Sequence, residues 1–335
     1  MQIASGTPNS VVGFEVPILL LGFNRPEECQ RVIASLREVR AKNVYFSVDG
    51  PRPNSQADIT KVETVKALKE LFDWGCELHV RFLDENLGCK LAISSGISWF
   101  FENVEEGIIL EDDCLPNKDF FYFCKRMLEK YRYTENIMHI SGTSYLPSNR
   151  NYKTNHYFSA LHEVWGWATW KRAWNYFEIN IQYSDKKSEF QLLHDYFRSS
   201  KVAKWFQRYL EDSKSPTCSL WSTYWSYSLI IRNAVSVAPI VNLVSNIGFD
   251  RMATHGTSKS FQLYNHFPAE SLPNLPDPQK IEVSRSLDEI RFRLIRKTDP
   301  SLRYFGKARS KIRRAPNKIL RVLNRKPNKS QPLHI

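Results

Sequence analysis

Glu111-Asp112-Asp113 follows the apolar run Gly107-Ile108-Ile109-Leu110 and is itself followed by Cys114-Leu115-Pro116. The run has the character of a buried strand, so three acidic side chains arrive together at its C-terminal end. Adjacent like charges repel and resist removal from water, and a hard divalent cation held by oxygen ligands makes such clustering favourable. Mg²⁺ or Mn²⁺ taken by one or two carboxylates keeps coordination positions open for a diphosphate. A solvated acidic turn is the plainer reading of the triplet alone, and its neighbours must decide.

The elements that would position the triplet alternate strand and helix, the pattern of a mostly parallel sheet covered by helices. Strands are expected over 17–23, 43–48, 78–83 and 107–110, and helices over 27–40, 58–74 and 90–101. An amphipathic helix over 119–132 follows. In open sheets of this kind ligands sit beyond the carboxyl ends of the strands. Asn24, Arg25, Asp49, Asn86, Lys90 and Asp113 all fall there. Beyond 132 the pattern loosens into loops rich in Tyr, Trp and Asn. The segment Trp165-Gly166-Trp167-Ala168-Thr169-Trp170, with Trp174, suits stacking on sugar rings or packing a lid, although core packing is the commoner use of such residues. A helical region is expected over 190–210, another over 221–231, strands over 235–239 and 242–247, and a proline-marked linker after them.

With 335 residues, 42% hydrophobic and 13% aromatic, the chain can bury a sizeable core and is too apolar for disorder. No apolar run approaches the roughly 20 residues of a membrane span, and 1–16 lacks the pattern of a signal peptide. The six cysteines show no Cys-x-x-Cys pair, which fits reduced cytosolic thiols better than disulfides or zinc. The net charge of +12 is not evenly spread: 15 of the 47 Lys and Arg, against one acid, lie within 290–335. The remainder is nearly neutral.

The order of elements, with Glu111-Asp112-Asp113, Pro116 and Asp119-Phe120-Phe121, resembles the GT-A fold glycosyltransferases, most closely the N-acetylglucosaminyltransferase I type. The resemblance spans 17–256 and is strongest over 17–142. It implies an α/β fold with a Rossmann-like, mixed, mostly parallel sheet flanked by helices, and metal-dependent, inverting transfer of a sugar from a nucleoside diphosphate donor, UDP favoured, to a glycan or lipid-linked acceptor. Asp113 would then be the metal ligand, Glu111 and Asp112 would contact donor sugar or ribose, Asp49 would read the base, Asn24 and Arg25 would lie along the nucleotide, and Lys90 near the phosphates. The segments 165–170 and 242–248, with Ala253-Thr254-His255, look like bacterial relatives, and His255 would complete a site for Mn²⁺ or Mg²⁺.

One departure bears on catalysis. Relatives commonly carry an acid within the segment matching Trp221-Ser222-Thr223-Tyr224-Trp225, to take the acceptor's proton, and here Ser222 stands in its place. An alcohol is no base near neutral pH without its own activator. Glu163, beside the aromatic segment, is the candidate by proximity, with Glu211 and Asp212 as others. A catalytically degenerate nucleotide-sugar-binding or membrane-associated protein on the same scaffold is the alternative. A nucleotidyltransferase would be expected to carry a Gly-rich basic loop after the first strand, which Gly22-Phe23-Asn24-Arg25-Pro26 does not supply.

The organisation expected is an extension over 1–16, donor-binding and acceptor-binding halves of one domain over 17–142 and 143–265, a linker over 266–289, and a basic amphipathic tail over 290–335. Each Lys or Arg near an anionic leaflet contributes about 1 kcal/mol, so the tail suits an anionic membrane surface. Nucleic acid, the rival partner of a basic tail, is not expected in the absence of any such binding motif. The chain would then be cytoplasmic and peripheral on the inner face of the membrane.

Overall fold

The computed structural model describes residues 13–147, 150–179, 185–214, 220–248 and 267–298. His255 and most of the basic tail lie outside the described residues. The elements run in chain order β1 (Ile18–Gly22), α1 (Pro26–Glu38), β2 (Asn43–Val48), α2 (Gln56–Ala67), β3 (Glu77–Phe82), α3 (Gly88–Asn103), β4 (Glu106–Glu111), β5 (Cys114–Pro116), α4 (Lys118–Tyr131) and β6 (Ile137–Ser141). They continue as β7 (His156–Ser159), β8 (Trp167–Trp170), α5 (Lys171–Trp174), α6 (Lys186–Phe197), α7 (Ser200–Ser213), α8 (Ser222–Ile230), β9 (Val235–Pro239), β10 (Val244–Asn246) and α9 (Arg285–Thr298).

Eight strands form one sheet in the order β3-β2-β1-β4-β8-β6-β9-β7. The pairings of β3 with β2, β2 with β1, β1 with β4 and β6 with β9 are parallel, whereas β8 runs antiparallel to both β4 and β6, and β7 to β9. Because β8 opposes both its neighbours, β6 points the same way as β4, and the carboxyl ends of β1, β2, β4 and β6 share one edge. This is the α/β class expected, with a mixed, mostly parallel sheet between helices.

Burial on both faces explains why the strands read as continuous apolar runs. Ile18, Leu20, Val44, Phe46, Ile108 and Leu110 pack under α1 and α4. Leu19, Leu21, Tyr45 and Ile109 face α3 through Ile93, Ile97 and Phe100, together with Trp167, Trp174 and Trp225. The aromatic segment is therefore core rather than lid: Trp167 and Trp170 are fully buried on β8, between β4 and β6. The helical region expected over 190–210 is two helices, because Arg198 takes a left-handed conformation (φ 51°) that ends α6, and Ser199 caps α7.

The described part of the basic segment belongs to the body. Arg291 of α9 is wholly buried. Its guanidinium donates to Tyr157 Oη at 2.9 Å and Ser159 Oγ at 3.1 Å, and pairs with Glu163 Oε1 at 3.1 Å. One turn earlier, Asp288 accepts from Ser159 Oγ at 2.6 Å and from the Ala160 N–H at 2.9 Å. Nearby, neutral His139 donates from Nε2 to the Glu163 carbonyl at 2.9 Å and accepts from Trp225 Nε1 at 3.2 Å.

Two predictions follow from this buried polar layer. Removing the cation leaves Glu163 and Asp288 without their counter-charge, so Arg291→Met should lower the unfolding free energy by about 3–5 kcal/mol. Arg293→Met, on the exposed side of α9, should stay within about 0.5 kcal/mol in the same denaturant titration. Burial also drives His139 down to about 3 and His156 down to about 4. Between pH 6.5 and 4 the unfolded chain therefore binds protons that the folded one refuses. Stability should fall on acidification through that window, at up to ~1.4 kcal/mol per pH unit for each histidine, and His156→Gln should flatten the slope.

Candidate functional site

At the end of β1 the chain turns into α1 through Phe23, Asn24, Arg25 and Pro26. Pro26 suits the first helical turn, and Glu27 and Glu28 complement the helix dipole. Arg25 occupies the capping position without capping the helix: its guanidinium crosses to the next strand and pairs with Asp113 Oδ2. Leu21 lies beside Glu111 in the parallel register of β1 and β4, so the loops after both strands leave the sheet together. The Phe23 N–H donates to Asp112 Oδ2 at 2.9 Å, tying the first loop to the acid triplet.

The second, two-stranded sheet covers this corner. β10 pairs antiparallel with β5, setting Asn246 opposite Cys114, and the Ile247 N–H donates to the Asp113 carbonyl at 2.8 Å. Asn246 Nδ2 lies 3.4 Å from Asp113 Oδ1. Gly248 then packs directly on the ion pair, where a Cβ would stand only 2.2 Å from Asp113 Oδ2 and 2.3 Å from Arg25 Nη1. Any larger residue there would have to push the ends of the two side chains aside.

Desolvation at the sheet edge, reinforced by the neighbouring acids, pushes Glu111 up to about 8 and Asp112 up to about 7, against the weaker opposing pull of Arg25. Among the described residues, the triplet thus shares one nearby guanidinium, that of Arg25, among three acids.

Asp49, at the end of β2, is a second centre. Its Oδ1 accepts from the N–H groups of Gly50 and Leu87, each at 2.9 Å, and its Oδ2 accepts from Asn86 Nδ2 at 2.9 Å and the Gly88 N–H at 3.2 Å. Four donors fill the roughly four acceptor sites of a carboxylate. In this state Asp49 fastens the turn leading into α3, and contact with a base would require release of one of these bonds. Burial and then the charges of Glu111, Asp113, Asp112 and Asp49 raise the Cys89 thiol, on the first turn of α3, to about 12, so the carboxyls of both centres act on that turn.

The other expected residues are placed differently. Asn24 Nδ2 donates to Asp58 Oδ1 at 2.8 Å, on α2, where Arg52 also pairs with Asp58, so Asn24 braces that helix. Lys90 is directed to α7 and α8, with Nζ 3.4 Å from the Ser213 carbonyl and 5.0 Å from the centroid of Tyr224. Glu163 follows β7 and returns to the carboxyl end of β6, its N–H 3.3 Å from Ser141 Oγ and its carboxylate on Arg291. Ser222 opens α8. Of the other acids, Glu211 pairs with Lys186 at 2.7 Å and Asp212 lies 3.9 Å from Arg208. The sequence reading missed Asp58, Arg52 and Arg291. For Arg291 the only available signal was an isolated apolar-flanked arginine at the start of a basic run.

A depression runs along α3 from Leu87, at the turn that Asp49 holds. It encloses about 620 Å³ and is lined by Arg81, Leu91, Ser95, Trp99 and Phe177, among others, along the outer side of α3.

No family model and no curated protein matches this chain. Among the solved structures that do match, one is described as a glucose-1-phosphate thymidylyltransferase from Bacillus anthracis in complex with a sucrose. It is 9% identical over 50% of this chain and 76% of its own, with a TM-score of 0.29. Another is mouse xyloside xylosyltransferase 1 in its apo form, 11% identical over 79% of this chain and 100% of its own, with a TM-score of 0.34. Likeness at this level carries no weight for function, which rests on the geometry of the site itself.

Asp49→Ala would leave the N–H groups of Gly50, Leu87 and Gly88 without their acceptor, at roughly 1 kcal/mol or more each. A loss of about 3 kcal/mol in denaturant unfolding is expected, with faster amide exchange concentrated at residues 86–88. Unchanged exchange there would show that the turn does not depend on the carboxylate.

Proposed function

We propose that the chain is a glycosyltransferase acting on a nucleoside diphosphate sugar, with the donor in the space between Asp49 and the acid triplet. The observation that carries this reading is the convergence of Arg25, Asp112 and Asp113 beyond the adjacent ends of β1 and β4, facing the first turn of α3. Guanidinium groups bind phosphate oxygens through paired hydrogen bonds, which suits Arg25 to the diphosphate. UDP is the favoured nucleotide and a glycan or lipid-linked alcohol the acceptor.

Among the described residues no group of three His, Cys, Asp or Glu side chains could by itself hold a metal. An ion of the Mg²⁺ or Mn²⁺ type takes one or two carboxylates and completes its shell with phosphate and water. Asp113, partly accessible and hard in its donor atoms, would hold it, and His255 could join from outside the described residues. When bound, such an ion supplies positive charge where the leaving diphosphate develops negative charge. Asp112 keeps the Phe23 loop in place, so Arg25 starts from a fixed backbone.

Glu163 remains the candidate base for the acceptor hydroxyl. Burial raises its carboxyl, which favours proton uptake, while Arg291 opposes the rise and fixes its orientation. The same ion pair, with Ser222 in place of an acid, supports the second reading: a protein that binds nucleotide sugar without turning it over.

The test is donor hydrolysis and transfer across a panel of nucleotide sugars with Mn²⁺, Mg²⁺ or EDTA. Asp113→Ala should lower turnover of the accepted donor by at least about 100-fold, as expected for loss of a Lewis-acid site. Full retention would remove the donor-site reading. Glu163→Gln should abolish transfer while preserving donor binding; unchanged transfer would exclude Glu163 as the base, and binding with no turnover in the native chain would establish the second reading.

A further inference from the structure

We infer that Arg25 and a divalent ion compete for Asp113, and that the diphosphate resolves the competition by drawing the guanidinium away. Ion and nucleotide would then bind interdependently. The inference rests on the donor-site reading above and goes beyond it by assigning Arg25 a second role, as the internal counter-cation of the nucleotide-free site.

Four contacts carry it. Arg25 Nη1 is on Asp113 Oδ2, and Asn246 Nδ2 stands 3.4 Å from Oδ1, so both carboxylate oxygens face donors. Gly248 covers the pair so closely that not even a methyl group fits between. The Phe23 N–H, two residues before Arg25, is held at 2.9 Å by Asp112, which keeps the arginine loop against the acids. The two side chains are only 18% and 16% exposed, so water screens the pair weakly.

A cation approaching Asp113 in this arrangement must share it with a guanidinium of like charge or displace that group. Displacement is unfavourable because it separates the guanidinium from its nearest acceptor, Asp113. A diphosphate provides another, with several anionic oxygens in the geometry that arginine matches best. Asp113 then becomes available as a ligand.

The experiment is a Mn²⁺ titration followed by the electron paramagnetic resonance signal of the free ion. It uses the native chain, Arg25→Gln, Arg25→Lys and Asp113→Asn, each with and without UDP, after thermal melting has shown that each variant is folded. Without UDP, Arg25→Gln should bind Mn²⁺ about tenfold more tightly than the native chain, the scale of an ordinary coupling between two sites. UDP should enhance Mn²⁺ binding to the native chain by a larger factor than to Arg25→Gln. Arg25→Lys, keeping a compact charge, should fall between the two and carries the test should the glutamine variant fail to fold. Equal or weaker Mn²⁺ binding by Arg25→Gln, with binding still lost in Asp113→Asn, overturns the competition and leaves the donor-site reading intact. Mn²⁺ binding that is indifferent to Asp113→Asn, or absent from the native chain even with UDP, overturns both.

Discussion

Three acidic side chains leave one strand end with, among the described residues, a single guanidinium beside them, and much of the surrounding architecture follows from that imbalance. A carboxylate withdrawn from water is unfavourable unless a counter-charge or hydrogen-bond donor meets it. Here the donors come from separate parts of the chain: Arg25 and the Phe23 N–H from the turn after β1, Asn246 from β10. The turn after β1 cannot move independently of β4, and the small β5–β10 sheet is fixed over both. The corner is thereby held as one rigid unit of three chain segments.

A second set of constraints holds the adjacent wall. Asp49 is consumed by the turn into α3, which orients the first turn of that helix toward the acids. On the far side the buried layer of His139, Glu163, Asp288 and Arg291 joins β6, β7 and α9. Arg291 is the counter-charge of both Glu163 and Asp288 within that layer, so α9 is attached by directional bonds as well as by Phe292. The basic segment therefore has its origin inside the fold.

The half of the sheet built from β1 to β4 was legible because β1, β2 and β4 are buried on both faces and read as largely apolar runs, while β3, half-exposed at the sheet edge, alternates polar and apolar residues, with helices of helical periodicity between. Its strand ends were legible for the same reason, and Arg25, Asp49 and Asp113 are near them. What sequence could not convey was the choice of partner. Asn24 turns to Asp58 rather than toward the acids, and Lys90 turns to Ser213, because those acceptors come from α2 and α7, brought near only by folding. The strands β6, β7 and β8 were hidden in what read as loops: β7 and β8 have four residues each, too few for a period to emerge, and their polar and aromatic members are stabilised by long-range neighbours. Arg291 was hidden by its company, since composition groups it with solvent-seeking charges although its own position on α9 is fully buried.

The antiparallel insertion of β8 between β4 and β6 has a consequence for how the chain assembles. β4 ends at Glu111, yet the strand that covers its free edge begins only at Trp167. During synthesis the first half can therefore form its four parallel strands and still present an open row of backbone donors and acceptors along β4, beside the triplet whose charge discourages a second chain from docking there. Closing that edge is a long-range pairing of β4 with β8, with the slow rate that high sequence separation imposes, and until β8 arrives the acids at the end of β4 serve as a guard on the open strand.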